Sequence, residues 1–442
     1  MWPCWTVWIS DMAKLWDKGF NVDEKVEAFT VGKDREMDLL LAPYDVQGTM
    51  AHITMLESVG LLSKEELDVL LPELEKIYAS TLDGTFRIDQ GVEDVHSQVE
   101  FMLTEKLGDT GKKVHTGRSR NDQVLLDVKL FTRAELERTA TKVKALFDAL
   151  SSASEKYKDV LMPGYTHLQV AMPSSFGLWF GAYSETLTDD MEMLLAAWRI
   201  ADRNPLGSAA GYGSSAPLNR QMTTDLLGFS DMVCNSIAAQ MGRGKIEREA
   251  AFALSCVAET LGRFAMDCCL FNSQNFGFVK LPKELTTGSS IMPHKKNPDV
   301  FELIRSHCNR ICGAPDTIRL MTTNLPSGYF RDMQLLKEVY LPLFGEIDDC
   351  LDIALFAIEN MEIAEGLMDD PKYNVAFSVE EVNRLVAGGV PFRDAYRQVG
   401  LAIERGEFKF NGELRHTHEG SIGNLCTDRI RARMDRLVSE FC

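Results

Sequence analysis

Apolar residues recur at three- and four-residue steps through most of the chain, the spacing of helices that bury one face. In residues 134–160 the series Leu136, Ala140, Val143, Leu146, Phe147 and Leu150 follows this rule. In residues 176–201 and 246–271 apolar positions occupy much of the helix circumference, as in buried bundle helices. Residues 333–361 are similar, with Pro342 and Gly345 placed to bend the helix. Helices of roughly 25 residues are about 40 Å long, well above the globular average. No alternating strand run with hairpin chemistry competes with them.

The pattern predicts an all-α protein with a central bundle of long helices. Helices apolar on several faces need partners, which a homo-oligomer supplies economically. A monomeric helical protein with a wide core is the alternative. Breakers fall at residues 108–121, 162–167, 204–215 and 281–298, and the second of these reads as an interruption between two helices. Asp369-Asp370-Pro371 marks a shift to a shorter, more polar region. The expected domains are therefore an N-terminal helical domain (1–117), the long-helix bundle (118–370) and a small C-terminal helical domain (371–442).

Composition narrows the partners. The chain has 442 residues, enough for two or three domains, and its formal net charge of -18 argues against nucleic acid or an anionic membrane. A local pocket of Lys and Arg still leaves room for an anionic small molecule. Ten cysteines are scattered, several in apolar stretches (Cys256, Cys268, Cys269, Cys350). That suits reduced thiols in a cytoplasmic protein better than a disulfide framework. Cys308 and Cys312 beside His307, and the pair His416 and His418, are weak metal candidates, because helical Cys is usually a small core residue. Residues 1–11 lack the charged start and long apolar stretch of a signal peptide. Met12 reads as a fresh initiator, with residues 1–11 as an upstream extension.

Three breakers carry more functional side chains than turns require. His115-Thr116-Gly117-Arg118-Ser119-Arg120-Asn121-Asp122-Gln123 offers donors for a carboxylate, or simply a polar loop that caps the next helix. In Pro163-Gly164-Tyr165-Thr166-His167-Leu168-Gln169, His167 suits general acid–base work, although, taken alone, a structural histidine hydrogen-bonded at a helix start explains it better. Gly288-Ser289-Ser290 is followed by Lys295, Lys296 and Asn297. No nucleophile elbow or phosphate loop surrounds these serines. A serine near fixed cations can act as an alkoxide base; a flexible polar linker is the plain alternative.

The run Gly288-Ser289-Ser290-Ile291-Met292-Pro293-His294-Lys295-Lys296-Asn297-Pro298 resembles the signature of the fumarase/aspartase superfamily. With the two earlier segments and Tyr329-Phe330-Arg331-Asp332-Met333-Gln334-x-x-Lys337, it resembles the argininosuccinate lyase family across about residues 15–399. The resemblance implies a three-domain fumarase/aspartase-like fold and a homotetramer whose sites are shared between subunits. It also implies C–N elimination of fumarate from argininosuccinate, the last step of arginine biosynthesis, without a cofactor.

The same resemblance assigns roles. Ser289 corresponds to the base, and Lys295 and Asn297 bind the adjacent carboxylate and stabilise the doubly charged intermediate. His167, supported by Glu302, handles protons. Ser119, Asn121 and Thr166, with Arg120 alongside, contact the succinyl carboxylates; Tyr329, Gln334 and Lys337 contact the arginine half; His96 is a further site histidine. Four features depart from the family pattern: His294, more familiar from adenylosuccinate lyases, residues 29–34, Gln240-Met241-Gly242-Arg243-Gly244, and the region beyond Gly406, which departs most. Adenylosuccinate or another fumaryl adduct as substrate, and a crystallin-like structural role, are the alternatives. A structural protein would need none of Ser289, His167, Lys295 and Asn297.

Overall fold

In the computed structural model, which describes residues 24–441, the apolar spacing is realised as helix. The expectations for Met12 and residues 1–11 lie outside the described residues. The first helices are α1 (Glu24–Val31), α2 (Asp34–Ser58), α3 (Lys64–Leu82), α4 (Val95–Leu107) and the single turn α5 (Asp109–Lys112). Next come α6 (Arg120–Lys156), α7 (Phe176–Ala201), the short α8 (Arg220–Leu226) and α9 (Ser236–Gln240), α10 (Lys245–Asn272) and α11 (Asp299–Thr322). Short α12 (Leu336–Tyr340) precedes α13 (Pro342–Asn360), and α14 (Ser378–Ala387), α15 (Phe392–Glu404) and α16 (Thr427–Val438) close the chain. Strands are few: the hairpin β1 (Leu161–Thr166) and β2 (Gln169–Ser175), and six two-residue strands. These are β3 (Arg203–Asn204), β4 (Asp231–Met232), β5 (Val279–Lys280), β6 (Thr287–Gly288), β7 (Lys296–Asn297) and β8 (Glu362–Ile363). Among the described residues, no helix is long and apolar enough to cross a membrane.

The chain divides into two compact units. The first comprises the residues up to Arg138 with 196–253 and 313–344; the second comprises 139–195, 254–312 and the residues from Gly345 onward. In the first unit, Ile53 and Leu56 of α2 pack with Leu70 and Leu74 of α3 and with Val95, Val99 and Leu103 of α4. Each such side chain contributes about 1.5–3 kcal/mol by leaving water. A reciprocal capping box starts α3: the Ser63 hydroxyl accepts the Glu66 N–H, and the Glu66 carboxylate accepts the Ser63 N–H.

In the second unit, Trp179 of α7 stacks on Phe264 of α10 with ring centres 5.6 Å apart. The Trp179 indole N–H and the Tyr183 hydroxyl both donate to Asp267, at 3.0 and 2.6 Å, so the polar tips of both rings are satisfied. A separate small core of Val382, Ala395, Val399 and Phe408 holds α14 and α15 together.

Three elements differ from the sequence expectation. Helix α6 begins at Arg120, about four turns before the apolar series that starts at Leu136. Every residue from Asp122 to Phe131 is buried, including Asp122, Asp127 and Lys129, so tertiary partners there replace the usual polar face. The Lys129 ammonium, for example, donates to the Ile200 and Ala201 carbonyls at 3.1 and 3.4 Å.

Residues 162–167 are not a simple interruption between helices. Residues 162–166 lie in the outgoing strand of an antiparallel hairpin in which Thr166 pairs with Gln169 and Leu161 with Ser175. Its two-residue turn is His167 (φ 54°) and Leu168 (φ 58°), both left-handed, which matches the strand twist. Nothing in His-Leu announces such a turn, and Pro163 paired with Pro173 disguises the strands. Finally, residues 333–361 form three pieces rather than one bent helix: a 3-10 turn over Arg331–Leu335, then α12, then α13 with Pro342 as its first residue.

Candidate active site

In the first unit, the loop leading into α6 is tied from both sides. Gly117 sits at φ 75°, where a Cβ would come within 2.9 Å of the Leu218 side chain. The His52 ring Nε2 meets the Thr116 carbonyl at 2.8 Å, so this nitrogen is the donor. Burial pushes the His52 pKa well below the ordinary histidine value, leaving the ring neutral. Arg118 is spent on structure: its guanidinium donates to Thr49 Oγ1 and the Val114 carbonyl, each at 2.8 Å. Asp122, fully buried, accepts the backbone N–H groups of Ser119, Gly207 and Ala209 at 2.8, 3.0 and 2.8 Å. Burial still raises its carboxyl to about 6 against those donors.

This loop opens on a cavity of about 180 Å³ lined by His96, Arg120, Asn121, Tyr329, Gln334 and Lys337. The sequence singled out all six, and the fold brings them together from stretches more than 200 residues apart. Ser119, at the helix start, lies beside them; its Oγ accepts the Asn121 N–H at 3.3 Å.

The cavity's cations are already engaged. Arg120 donates to Glu93 at 2.8 Å and to Ser97 Oγ at 2.9 Å, and lies 3.1 Å from Asp94. Arg331 donates to the other Glu93 oxygen at 2.7 Å and to Gln334 Oε1 at 3.0 Å. Gln334 in turn donates to the Thr30 carbonyl at 2.8 Å. The Lys337 ammonium is buried between Asp34 at 2.7 Å and Asp38 at 2.5 Å. Burial would discharge it, but the two carboxylates overcome that and hold its pKa above the ordinary lysine value.

His96 is likewise paired, its Nδ1 lying 2.6 Å from Asp45. Sequence reading missed Glu93, Asp94, Asp34, Asp38 and Asp45 as site components. The only cue was that Glu93 and Asp94 adjoin His96.

The remaining candidates lie in the second unit. Thr166 and His167 are exposed at the tip of the β1–β2 hairpin, and Glu302 is exposed in the first turn of α11. Among the described residues no hydrogen bond joins His167 to Glu302. Ser289 follows β6, and β6 and β7 pair as the base of a loop, with Thr287 opposite Asn297 and Gly288 opposite Lys296. Thr287 donates to Asp299 at that base. The Ser289 Oγ accepts the backbone N–H of Met292 at 3.1 Å and of Ile291 at 3.4 Å. Ile291 and Lys295 are exposed, and Ile291 retains 84% of its surface.

The metal candidates from sequence have ordinary partners. His307 pairs with Glu346 at 2.7 Å, the Cys312 thiol points to the Ser255 carbonyl at 3.7 Å, and His416 sits between Ser421 and Glu380. All described cysteines are free thiols.

A long-helix framework with a signature serine loop and a carboxylate-rich cavity defines a lyase of the fumarase type. Residues 19–313 match the protein family described as Lyase. Solved structures share the fold: EDDS lyase in complex with formate superposes with a TM-score of 0.76 at 23% identity, covering 96% of this chain and 91% of that one. A class II fumarase from Schistosoma mansoni gives 0.66 at 16% identity, covering 93% and 94%.

Closer relatives narrow the class. The argininosuccinate lyase of Parabacteroides distasonis is 64% identical over 97% of this chain and 96% of its own length. That of Bacteroides thetaiotaomicron is 63% identical over the same shares, and that of Thermotoga neapolitana is 39% identical over 87% and 97%. The chain therefore belongs to the argininosuccinate lyase family of the fumarase/aspartase superfamily; it is a lyase and acts on a small molecule.

Proposed function

We propose that the chain converts argininosuccinate to L-arginine and fumarate in the cytoplasm, as the last step of arginine biosynthesis. The observation that carries this reading is near-full-length identity of 62–64% to relatives named for that substrate. Ser289, as alkoxide, removes the proton on the carbon beside a succinyl carboxylate. The electron pair enters that carboxylate, giving an aci-carboxylate dianion held by Lys295 and Asn297. Its collapse forms the fumarate double bond, breaks the C–N bond and releases the guanidino nitrogen, which takes a proton. His167 with Glu302 handles proton transfer. Ser119, Asn121 and Thr166 hold the succinyl carboxylates, with Arg120 alongside; Tyr329, Gln334 and Lys337 orient the arginine half.

Two features of the chain support these roles. The backbone N–H groups of Ile291 and Met292 already point at the Ser289 Oγ, so an alkoxide there gains stabilisation without rearrangement. Elimination of this kind is redox-neutral, so side chains alone can carry it. The exposed Ile291, together with Leu303 and Leu320 on α11 and Phe356 on α13, supports a homotetramer with shared sites.

The test is direct. Purified protein with argininosuccinate should release fumarate, read by its ultraviolet absorbance, with arginine in equal amount. Turnover of adenylosuccinate alone would move the substrate assignment, and silence with both would favour a structural role.

A further inference from the structure

We infer that Asp45, with Asp127 behind it, is a positioning residue that keeps His96 as an imidazolium and aims its Nε2–H into the cavity at a substrate carboxylate. That the carboxylate is one of argininosuccinate rests on the function proposed above; the charge state of His96 does not.

Three helices build the arrangement. Asp45 comes from α2, His96 from the first turn of α4 and Asp127 from α6, and their side chains are only 2, 5 and 1% exposed. His96 Nδ1 lies 2.6 Å from Asp45 Oδ1 and 3.7 Å from Asp127 Oδ2. The first turn of α4 is pinned: Val95 N–H donates to Asp38 at 3.1 Å and Ser97 N–H to Asp94 at 2.9 Å. The ring therefore has one setting, with Nδ1 on Asp45. Its Nε2 has no partner among the described residues, and His96 lines the cavity.

Charge decides the rest. Asp45 Oδ2 and Asp127 Oδ2 are buried without a hydrogen bond, and both carboxyl groups face the His96 ring. A neutral ring donating through Nδ1 would present a lone pair at Nε2 and repel a carboxylate; a charged ring donates from both nitrogens. Burial lowers the tendency of the ring to hold a proton, but Asp45, Asp127 and Asp94 outweigh it and raise its pKa to about 9. Asp127 is pushed well above the carboxylate range, by burial first and then by Asp45. Arg118 faces the same carboxylates, and Lys337 acts on Asp127. His115, driven down to about 4 by burial and then Arg118, adds no charge at neutral pH.

Every other cation on the cavity wall faces a carboxylate. Arg120 and Arg331 share Glu93, Lys337 lies between Asp34 and Asp38, and Arg243 pairs with Glu247 at 2.8 Å. His96 likewise faces Asp45, and among the described residues its Nε2 is left without a hydrogen-bond partner on that wall, so a charged ring adds a donor there. The three cluster donors lie within 4.8 Å of one another, close enough to hold a cation. A proton on His96, with Arg118 nearby, meets the same charge requirement and keeps the short Asp45 hydrogen bond.

The test titrates the full-length protein with succinate, a four-carbon dianion, by calorimetry from pH 6 to 8, and follows argininosuccinate turnover in parallel. Wild-type affinity for succinate should change less than about twofold over that range. In Asp45→Asn the ring should titrate nearer its ordinary value, so affinity should fall roughly tenfold from pH 6 to 8. Asp45→Glu should restore much of the flat profile, which a merely structural role for Asp45 would not predict. Parallel profiles for wild type and Asp45→Asn overturn the inference. Should Asp45→Asn fail to fold, or succinate bind too weakly to measure, the nitrogen chemical shifts of the wild-type His96 ring decide, assigned against His96→Gln. Two protonated nitrogens at pH 7.5 support the imidazolium, and one bare nitrogen overturns it. A charged ring in a protein inactive on argininosuccinate would sink the substrate reading alone.

Discussion

The ammonium of Lys337 and the carboxylate of Asp38 meet at 2.5 Å with both side chains almost wholly buried, 299 positions apart in sequence. The second Asp38 oxygen accepts the Val95 N–H, so this pair links α12, α2 and the start of α4, where His96 sits. Removing one member of a buried pair strands the other, at a typical cost of about 3–5 kcal/mol. Lys337→Met should therefore lower unfolding free energy in urea by about that much. The double variant Asp38→Asn/Lys337→Met should lose clearly less than the sum of the single losses. Additive losses would mean that the two groups are not coupled.

Ser289→Ala should leave the helices and the oligomer unchanged by circular dichroism and light scattering. Turnover should fall by about 10²–10⁴-fold, the range for loss of a general acid–base group. A near-normal kcat would remove Ser289 from the base role.

Gly117→Ala tests the loop before α6. A left-handed backbone costs a non-glycine residue about 1–2 kcal/mol, and the new Cβ would press on Leu218. The melting temperature should drop, and KM should rise because Asn121, four residues on, lines the cavity. An unchanged melting temperature would show that the loop relaxes freely.

His96 also makes stability depend on pH. Its folded pKa of about 9 lies above the ordinary value of 6.5, so the folded state binds this proton more tightly. Its contribution is complete below about pH 6.5 and is lost as pH rises through 9. Urea midpoints should decline across this window in wild type and decline less in His96→Gln. Equal declines would assign the effect to other groups.

How much of this was legible in the chain varies by element. Helix α7 runs over Phe176–Ala201, the very span the apolar pattern marked, because packing and periodicity coincide there. The start of α6 was hidden because Asp122, Asp127 and Lys129 are buried, which breaks the polar-outside rule that pattern reading relies on. The β1–β2 hairpin was hidden because its turn residues, His167 and Leu168, take left-handed conformations that neither favours alone. Six residues of the cavity wall were legible as motif members, but their carboxylate partners were not.

The sequence by itself determined the helical framework, the serine loop and the family, since periodicity and motif depend on residues near each other along the chain. Only the tertiary structure decided which charges meet. Asp45 and His96 are 51 positions apart, and Lys337 and Asp34 are 303 apart. A buried charge takes its state from whatever lies within a few ångströms, and no local spacing records that.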